Sequence, residues 1–133
     1  MHTENQLPAT WDITIHRGGV WEYTGRIVQA DGTLLDTEDF AMEFTIKESP
    51  EDNAPVIATY TTDNGRCLTG INTDSDGSEV DWWIKLLATD TEALPSGVYY
   101  HNIWLTPPDG ASNRQAIFAG SCCIEQEVRD VSS

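Results

Sequence analysis

An all-β fold, an antiparallel β-sandwich of about eight or nine short strands, is what this chain predicts, and three observations predict it. Asn-Gly or Asp-Gly pairs recur at Asp31-Gly32, Asn64-Gly65, Asp76-Gly77 and Asp109-Gly110. Such pairs accept the positive φ of tight hairpin turns, which makes them the strongest short-range hairpin signal. Between them lie runs rich in Val, Ile, Thr, Tyr, Phe and Trp, in which apolar and polar residues alternate with the strand period of two. No long window carries a helical period, so nothing competes with a sandwich.

The strands follow one another in order. Thr10 to His16 sets Trp11, Ile13 and Ile15 on one face, and Val20 to Gln29 does the same with Trp21, Tyr23 and Ile27. After the loop "ADGTLLDTED", Phe40, Met42, Phe44 and Ile46 alternate and face inward. The polar connection "ESPEDNAP" leads to Val56–Thr62, then Arg66–Ile71, Glu79–Leu87, Gly97–Thr106 and Arg114–Gln126. One segment breaks the pattern. "ATDTEALPSG" offers an Asp or Thr cap with helix formers behind it, predicting one helical turn near residues 90–94, around Thr91–Leu94. The turn ends at Pro95, and Gly97 leads into the next strand. In "ALPSGVYYHNIWL" Leu94 buries, the chain turns at Pro95 and Gly97, and Tyr99 tucks beneath the turn. This is the corner of an immunoglobulin-like sandwich.

A length of 133 residues is one domain with a single core. Residues 9–126 are expected to form it, with 1–8 and 127–133 as a flexible N-terminal segment and a C-terminal tail that order on a neighbour. Acidic residues outnumber basic ones 22 to 7, for a net charge of −15, and they are dispersed along the chain. That field repels nucleic acid and anionic membranes and favours basic partners. No apolar run approaches the ~20 residues of a membrane span. The opening "MHTENQLPAT" lacks the regions of a signal peptide, so the expectation is a protein assembled in a cytoplasm. Cys67, Cys122 and Cys123 form no motif. Adjacent strand residues point to opposite faces, so Cys122 and Cys123 are poorly placed to bridge, and reduced thiols that fill core are expected.

The stretch "NTDSDGSEVDWW" puts Asn72, Asp74, Asp76 and Gly77 in the first, third, fifth and sixth positions of a calcium loop. Glu79 then stands where that loop wants an apolar residue, Trp83 stands where it needs a bidentate Glu, and no helix flanks it. A hairpin turning at Asp76-Gly77 accounts for the same residues. No metal, no other cofactor and no enzymatic activity are expected. His2, His16 and His101 are scattered, with His101 alternating inward between Tyr99 and Ile103. No nucleophile elbow, phosphate loop or paired Cys motif is present.

The aromatics say more. Along Glu79–Leu87 the core face is Val80, Trp82, Ile84 and Leu86, leaving Trp83, Lys85 and Leu87 outward. Along the next strand Tyr99, His101, Ile103 and Leu105 point in, leaving Tyr100, Asn102 and Trp104 outward. If these strands pair, Trp83, Tyr100 and Trp104 share one outer surface, with Leu87 near its edge. Large exposed aromatics mark an interface, unless a loop or terminus of the same chain covers them.

Four segments, in this order, carry a resemblance: "ITIHRGGVWEYTGRIVQADGTLLD", "FAMEFTIKESP", "TTDNGRCLTGI" and "DTEALPSGVYYHNIWLTPPDG". Across residues 10 to 126 the chain resembles the small β-sandwich virion proteins of tailed bacteriophages that attach side tail fibres, collar proteins included. His101 stands where that family more often has an aromatic. The resemblance implies a non-enzymatic structural protein of the virion, assembled in the host cytoplasm, forming a homo-oligomeric ring or bridge. Its implied partners are the tail tube or baseplate hub and a tail fibre. Two other roles fit a sandwich of this kind: a capsid decoration or neck protein, and a carbohydrate- or receptor-binding domain whose exposed tryptophans stack on sugar rings.

Overall fold

The computed structural model describes residues 9–110 and 113–126. The expected N-terminal segment 1–8 and tail 127–133 lie outside the described residues. Nine strands and one short helix follow in order: β1 (Ala9–Thr10), β2 (Ile13–His16), β3 (Trp21–Gly25), β4 (Ala41–Lys47), β5 (Val56–Thr61), β6 (Cys67–Thr73), β7 (Glu79–Leu86), α1 (Ala88–Glu92), β8 (Gly97–Thr106) and β9 (Gln115–Glu125). One sheet has the order β1-β9-β8-β4-β5, with β2 also on β9; the other is β3-β7-β6. At the corner before β8 the Tyr99 hydroxyl donates to the Ser96 carbonyl at 3.0 Å, as the corner tyrosine of such domains does. The chain is an immunoglobulin-like β-sandwich.

Several expectations change in detail. The first strand is broken at Trp11–Asp12, and both halves run parallel to β9, so the sandwich is not wholly antiparallel. The break has a local cause. The Asp12 carboxylate accepts the Ser121 N–H at 2.9 Å, and the Trp11 carbonyl turns to Nε2 of His101 at 2.5 Å. Gly120 lets this happen, because a Cβ there would collide with the Trp11 carbonyl. The second strand ends at Gly25. Residues 26–37 fold back as a small arch, with a Val28–Leu34 bridge and the Gln29 N–H on the Thr33 carbonyl. Asn64-Gly65 does not close a hairpin within one sheet; it carries the chain from β5 in one sheet to β6 in the other. The helix begins at Ala88 with Leu87 as its N-cap and no side-chain cap. Asp90 instead accepts the Leu87 N–H at 2.8 Å, which shifts the turn toward the N-terminus relative to 90–94.

Most inward faces are as the alternation predicts, but Tyr23, expected inward beside Trp21, is 47% exposed, and Phe40 and Tyr99 are only partly buried. Met42, Phe44, Ile46, Val80, Trp82, Ile84, Leu86, His101, Ile103 and Leu105 are buried, as is Leu94 beneath the exposed Pro95. In immunoglobulin domains the second bridging cysteine stands two residues after the corner tyrosine. Here that position is His101, and aromatic packing occupies the place of a disulfide. Phe44 stacks on Trp21 at 5.4 Å and meets His101 edge-on at 5.6 Å. Trp11 enters from the β1–β2 break and lies within about 6 Å of Trp21, Tyr23, Trp82, His101 and Phe118, tying the two sheets together. Gly97, at φ 142°, packs against the Tyr99 ring. All three cysteines are free, with Cys67 and Cys122 buried and Cys123 half-buried. Burial pushes the Cys67 and Cys122 thiols up to about 12, so they behave as core hydrophobes.

Candidate functional site

The hairpin that resembles a calcium loop joins β6 to β7 in register. The Asp74 N–H donates to the Ser78 carbonyl at 2.9 Å and the Gly77 N–H to the Asp74 carbonyl at 3.0 Å. Gly77 takes the required positive φ of 85°. The Asp74 carboxylate is already engaged, accepting the N–H groups of Asp76 and Ser78 at 2.9 and 3.0 Å. Asn72 points its amide back to the Gly70 carbonyl at 3.2 Å. These residues build a turn. Among the described residues no group of three or more His, Cys, Asp or Glu side chains is placed to hold a metal ion.

The aromatic surface predicted from Trp83, Tyr100 and Trp104 is not one surface. Strands β7 and β8 do not pair; α1 carries the chain from one sheet to the other between them. Trp83 therefore lies outside the three-stranded sheet, while Tyr100 and Trp104 lie outside the larger one. Alternation along each strand was legible in sequence, but sheet membership was not, because period two says nothing of the neighbouring strand.

On the three-stranded sheet, Trp83 is half-buried and its indole N–H donates to Glu22 of β3 at 2.5 Å. That bond fixes the ring. Two concavities of about 250 Å³ flank it, one lined by Glu22, Asp74 and Asp76, the other by Arg66, Leu68 and Lys85. Leu68 is half exposed. Arg66 is held by Asp90 through Nε at 2.6 Å. Burial works against ionisation of Asp90, but the Arg66 and Leu87 hydrogen bonds outweigh it and hold the carboxyl below its ordinary value. Leu87, at the start of α1, is 39% exposed and caps this side of the domain.

On the larger sheet, Trp104 of β8 is covered on one side by the Arg114 guanidinium, 4.0 Å from the ring centroid. Arg114 also approaches Glu43 at 3.6 Å. Lys47 is 8% exposed and donates to the Asp52 carbonyl at 3.3 Å. With Asn102, these residues line a concavity of about 400 Å³. The Asn102 side-chain oxygen there is buried without a partner. Tyr100 pairs in register with Lys47 and continues the face toward the half-buried Cys123.

Sequence reading missed Asp81. By alternation it faces outward, yet it is fully buried. Both carboxylate oxygens accept the Ile27 N–H at 3.0 Å, while the Thr37 hydroxyl donates to the Asp81 carbonyl at 2.6 Å. The same hydroxyl accepts the Gly70 N–H at 2.6 Å, filling the gap left by the bulge in β6. Asp81 thus pins the 26–37 arch over the outside of its sheet. Burial pushes its carboxyl up, and the Ile27 N–H works against that shift. One signal was available: an acid inside "EVDWWIKL" whose neighbours on both sides are core residues.

Among the described residues the two histidines stand apart. His101 is buried, and His16 pairs at the surface with Glu125 at 3.4 Å. Among the described residues no helix is long and apolar enough to cross a membrane.

No protein-family model matches the chain. No curated protein does either. Among solved structures it is similar to Tim-1, at 16% identity over 92% of this chain and 98% of that one, with a TM-score of 0.40. A second similar structure comes from photo-crosslinking analyses of multimeric cell-adhesive interactions of VGSC beta subunits. That one shares 8% identity over 88% of this chain and 91% of the other, again with a TM-score of 0.40. Likeness at this level carries no functional implication.

Proposed function

We propose that this chain is a structural module of a tailed-phage virion. It assembles on the tail, at the collar or baseplate, and joins tail fibres to it by protein–protein contact. One observation carries the reading: half-buried aromatics stand on the outer faces of both sheets, Trp83 on one and Tyr100 and Trp104 on the other. A standard interface takes about 800 Å² from each partner, roughly a tenth of the 7872 Å² this chain exposes. Two contacts on opposite faces therefore fit without competing, which is what a connector between two neighbours requires. The order of the sequence segments supports the virion context, and three free thiols, two of them buried, suit assembly in a reducing cytoplasm.

The test is co-assembly. The full chain, mixed with tail-tube, baseplate and fibre proteins, is expected to sediment with at least one of them. Trp83→Ala and Trp104→Ala each weaken one contact while leaving the other. A chain that stays apart from every tail component, and is missing from assembled tails, overturns the reading.

The Trp83 surface also favours a second reading. A ring fixed by Glu22 and flanked by Asp74, Asp76 and Lys85 is a platform for a sugar face with hydrogen-bond partners at its rim. Quenching of tryptophan fluorescence by neutral oligosaccharides, lost in Trp83→Ala, would favour it; no quenching sets it aside.

A further inference from the structure

Strand β3 is a sheet edge, and the seam beside it is lined with aromatic rings. It ends the three-stranded sheet, just as β1 and β2 end the larger one. The ladder fixes which of its backbone groups are free. In an antiparallel strand the N–H and C=O of one residue point to the same side, and successive residues alternate. The Lys85 N–H goes to the Arg66 carbonyl at 2.9 Å, so Ile84 and Leu86 turn toward β3. Their partners Tyr23 and Trp21 turn to β7, which leaves the N–H and C=O of Glu22 and Thr24 on the outer edge. The other edges are blunted. Thr37 takes the Gly70 N–H of β6, a bulge kinks the β4–β5 pair at Lys47, and the first strand is broken at Trp11–Asp12. Two concavities open along the seam. One, of about 490 Å³, is lined by Trp11, Ile13, Val20, Trp21 and Tyr23; the other, of about 270 Å³, by Trp11, Thr24, Trp82 and Phe118. Trp11 belongs to both and meets Tyr23 edge-on at 5.3 Å. Tyr23 is 47% exposed at an inward position, and the Trp82 indole N–H is buried without an acceptor.

We propose that β3 accepts an added strand, an extended segment of a partner protein lying beside Trp21–Gly25. Its backbone pairs with the free N–H and C=O groups of Glu22 and Thr24, and two of its large apolar side chains fill the two concavities. Alternate residues of a strand point the same way, about 7 Å apart, so the segment carries those side chains at positions i and i+2. Main-chain bonds then supply affinity and the concavities supply selectivity. The occupant is foreign to this chain. A second copy pairing through its own β3 leaves both concavities empty, because its Trp21 is buried in its own core. Residues 1–8 and 127–133 hold no two large apolar residues at i and i+2. The inference stands apart from the outer-face contacts proposed above, whose co-assembly test reads different surfaces.

The probe is a synthetic peptide, Lys-Thr-Ile-Thr-Phe-Thr-Lys, titrated into the full chain and followed by fluorescence anisotropy and amide-resolved hydrogen exchange. Saturable binding is expected, with the Glu22 and Thr24 amides newly protected and those of Trp21 and Tyr23, already in the ladder, little changed. Two methylated peptides carry the sharper test, one blocked at the Ile and Phe nitrogens and one at the Thr nitrogens. One set faces β3 and should weaken binding at least about tenfold; the other faces away and should not. Thr24→Pro removes the edge N–H, leaves the β7 ladder intact and should weaken binding to a similar degree. Circular dichroism checks that this variant folds, and the methylated peptides decide the matter if it does not. No binding up to about 1 mM overturns the inference. So does protection on β5 or β6 in place of β3, or binding indifferent to both methylation patterns. Protection of Glu22 and Thr24 that grows with protein concentration in the absence of peptide would make the occupant a second copy and overturn it as well.

Discussion

Acid should destabilise this domain through His101, and replacing that residue should remove the effect. His101 is fully buried on β8, with Nε2 on the Trp11 carbonyl at 2.5 Å and Nδ1 without a partner. Burial lowers its pKa below the ordinary 6.5; the Trp11 carbonyl and Asp12 oppose that shift. The sign follows from proton counting. Below pH 6.5 the unfolded chain binds a proton that the folded chain refuses, so stability is complete above 6.5 and drains as pH falls toward the lower folded value. While the two states differ by one proton the slope is about 1.4 kcal/mol per pH unit. For a domain of this size that is roughly 3–6 °C in melting temperature per pH unit. The assay is thermal melting followed by near-ultraviolet circular dichroism between about pH 7 and pH 5, on wild type and His101→Phe. Phenylalanine keeps the edge-on contacts with Phe44 and Trp11 and cannot titrate, at a cost of about 1 kcal/mol for the lost hydrogen bond. His16 and the surface carboxylates are common to both proteins, so the difference between the curves isolates His101. Parallel curves over this range would refute the reasoning.

Asp81→Ala should cost about 1–3 kcal/mol by leaving the Ile27 N–H without its acceptor. Hydrogen exchange should then speed up across residues 26–37 and leave β8 and β9 protected. Trp82→Ala, by contrast, empties core between the sheets and should cost about 3–5 kcal/mol in urea unfolding. Tyr99→Phe removes one corner hydrogen bond to Ser96 and should cost about 0.5–1.5 kcal/mol by the same assay. Millimolar calcium should leave the melting temperature unchanged, since the Asp74 carboxylate is spent on the hairpin's own N–H groups; a rise reversed by chelator would restore the metal reading.

The sequence by itself determined what is periodic and local. Alternation placed Phe44, Trp82, Ile84, Ile103 and their neighbours inside, because strand residues have only two faces and water is on one of them. Turn chemistry located the Asp76-Gly77 hairpin and the Tyr99 corner, because positive φ and a hydroxyl three residues from a carbonyl are local requirements. Tertiary structure alone decided which strands share a sheet. That put Trp83 and Trp104 on opposite sides of the domain instead of on one surface. It also decided the burial of Asp81, which depends on the 26–37 arch that crosses over it, and the partner of the inward-facing His101, the Trp11 carbonyl. Those partners lie 54 and 90 residues away along the chain. Hydrogen bonds across such distances are set by packing, and no local pattern in the sequence records them.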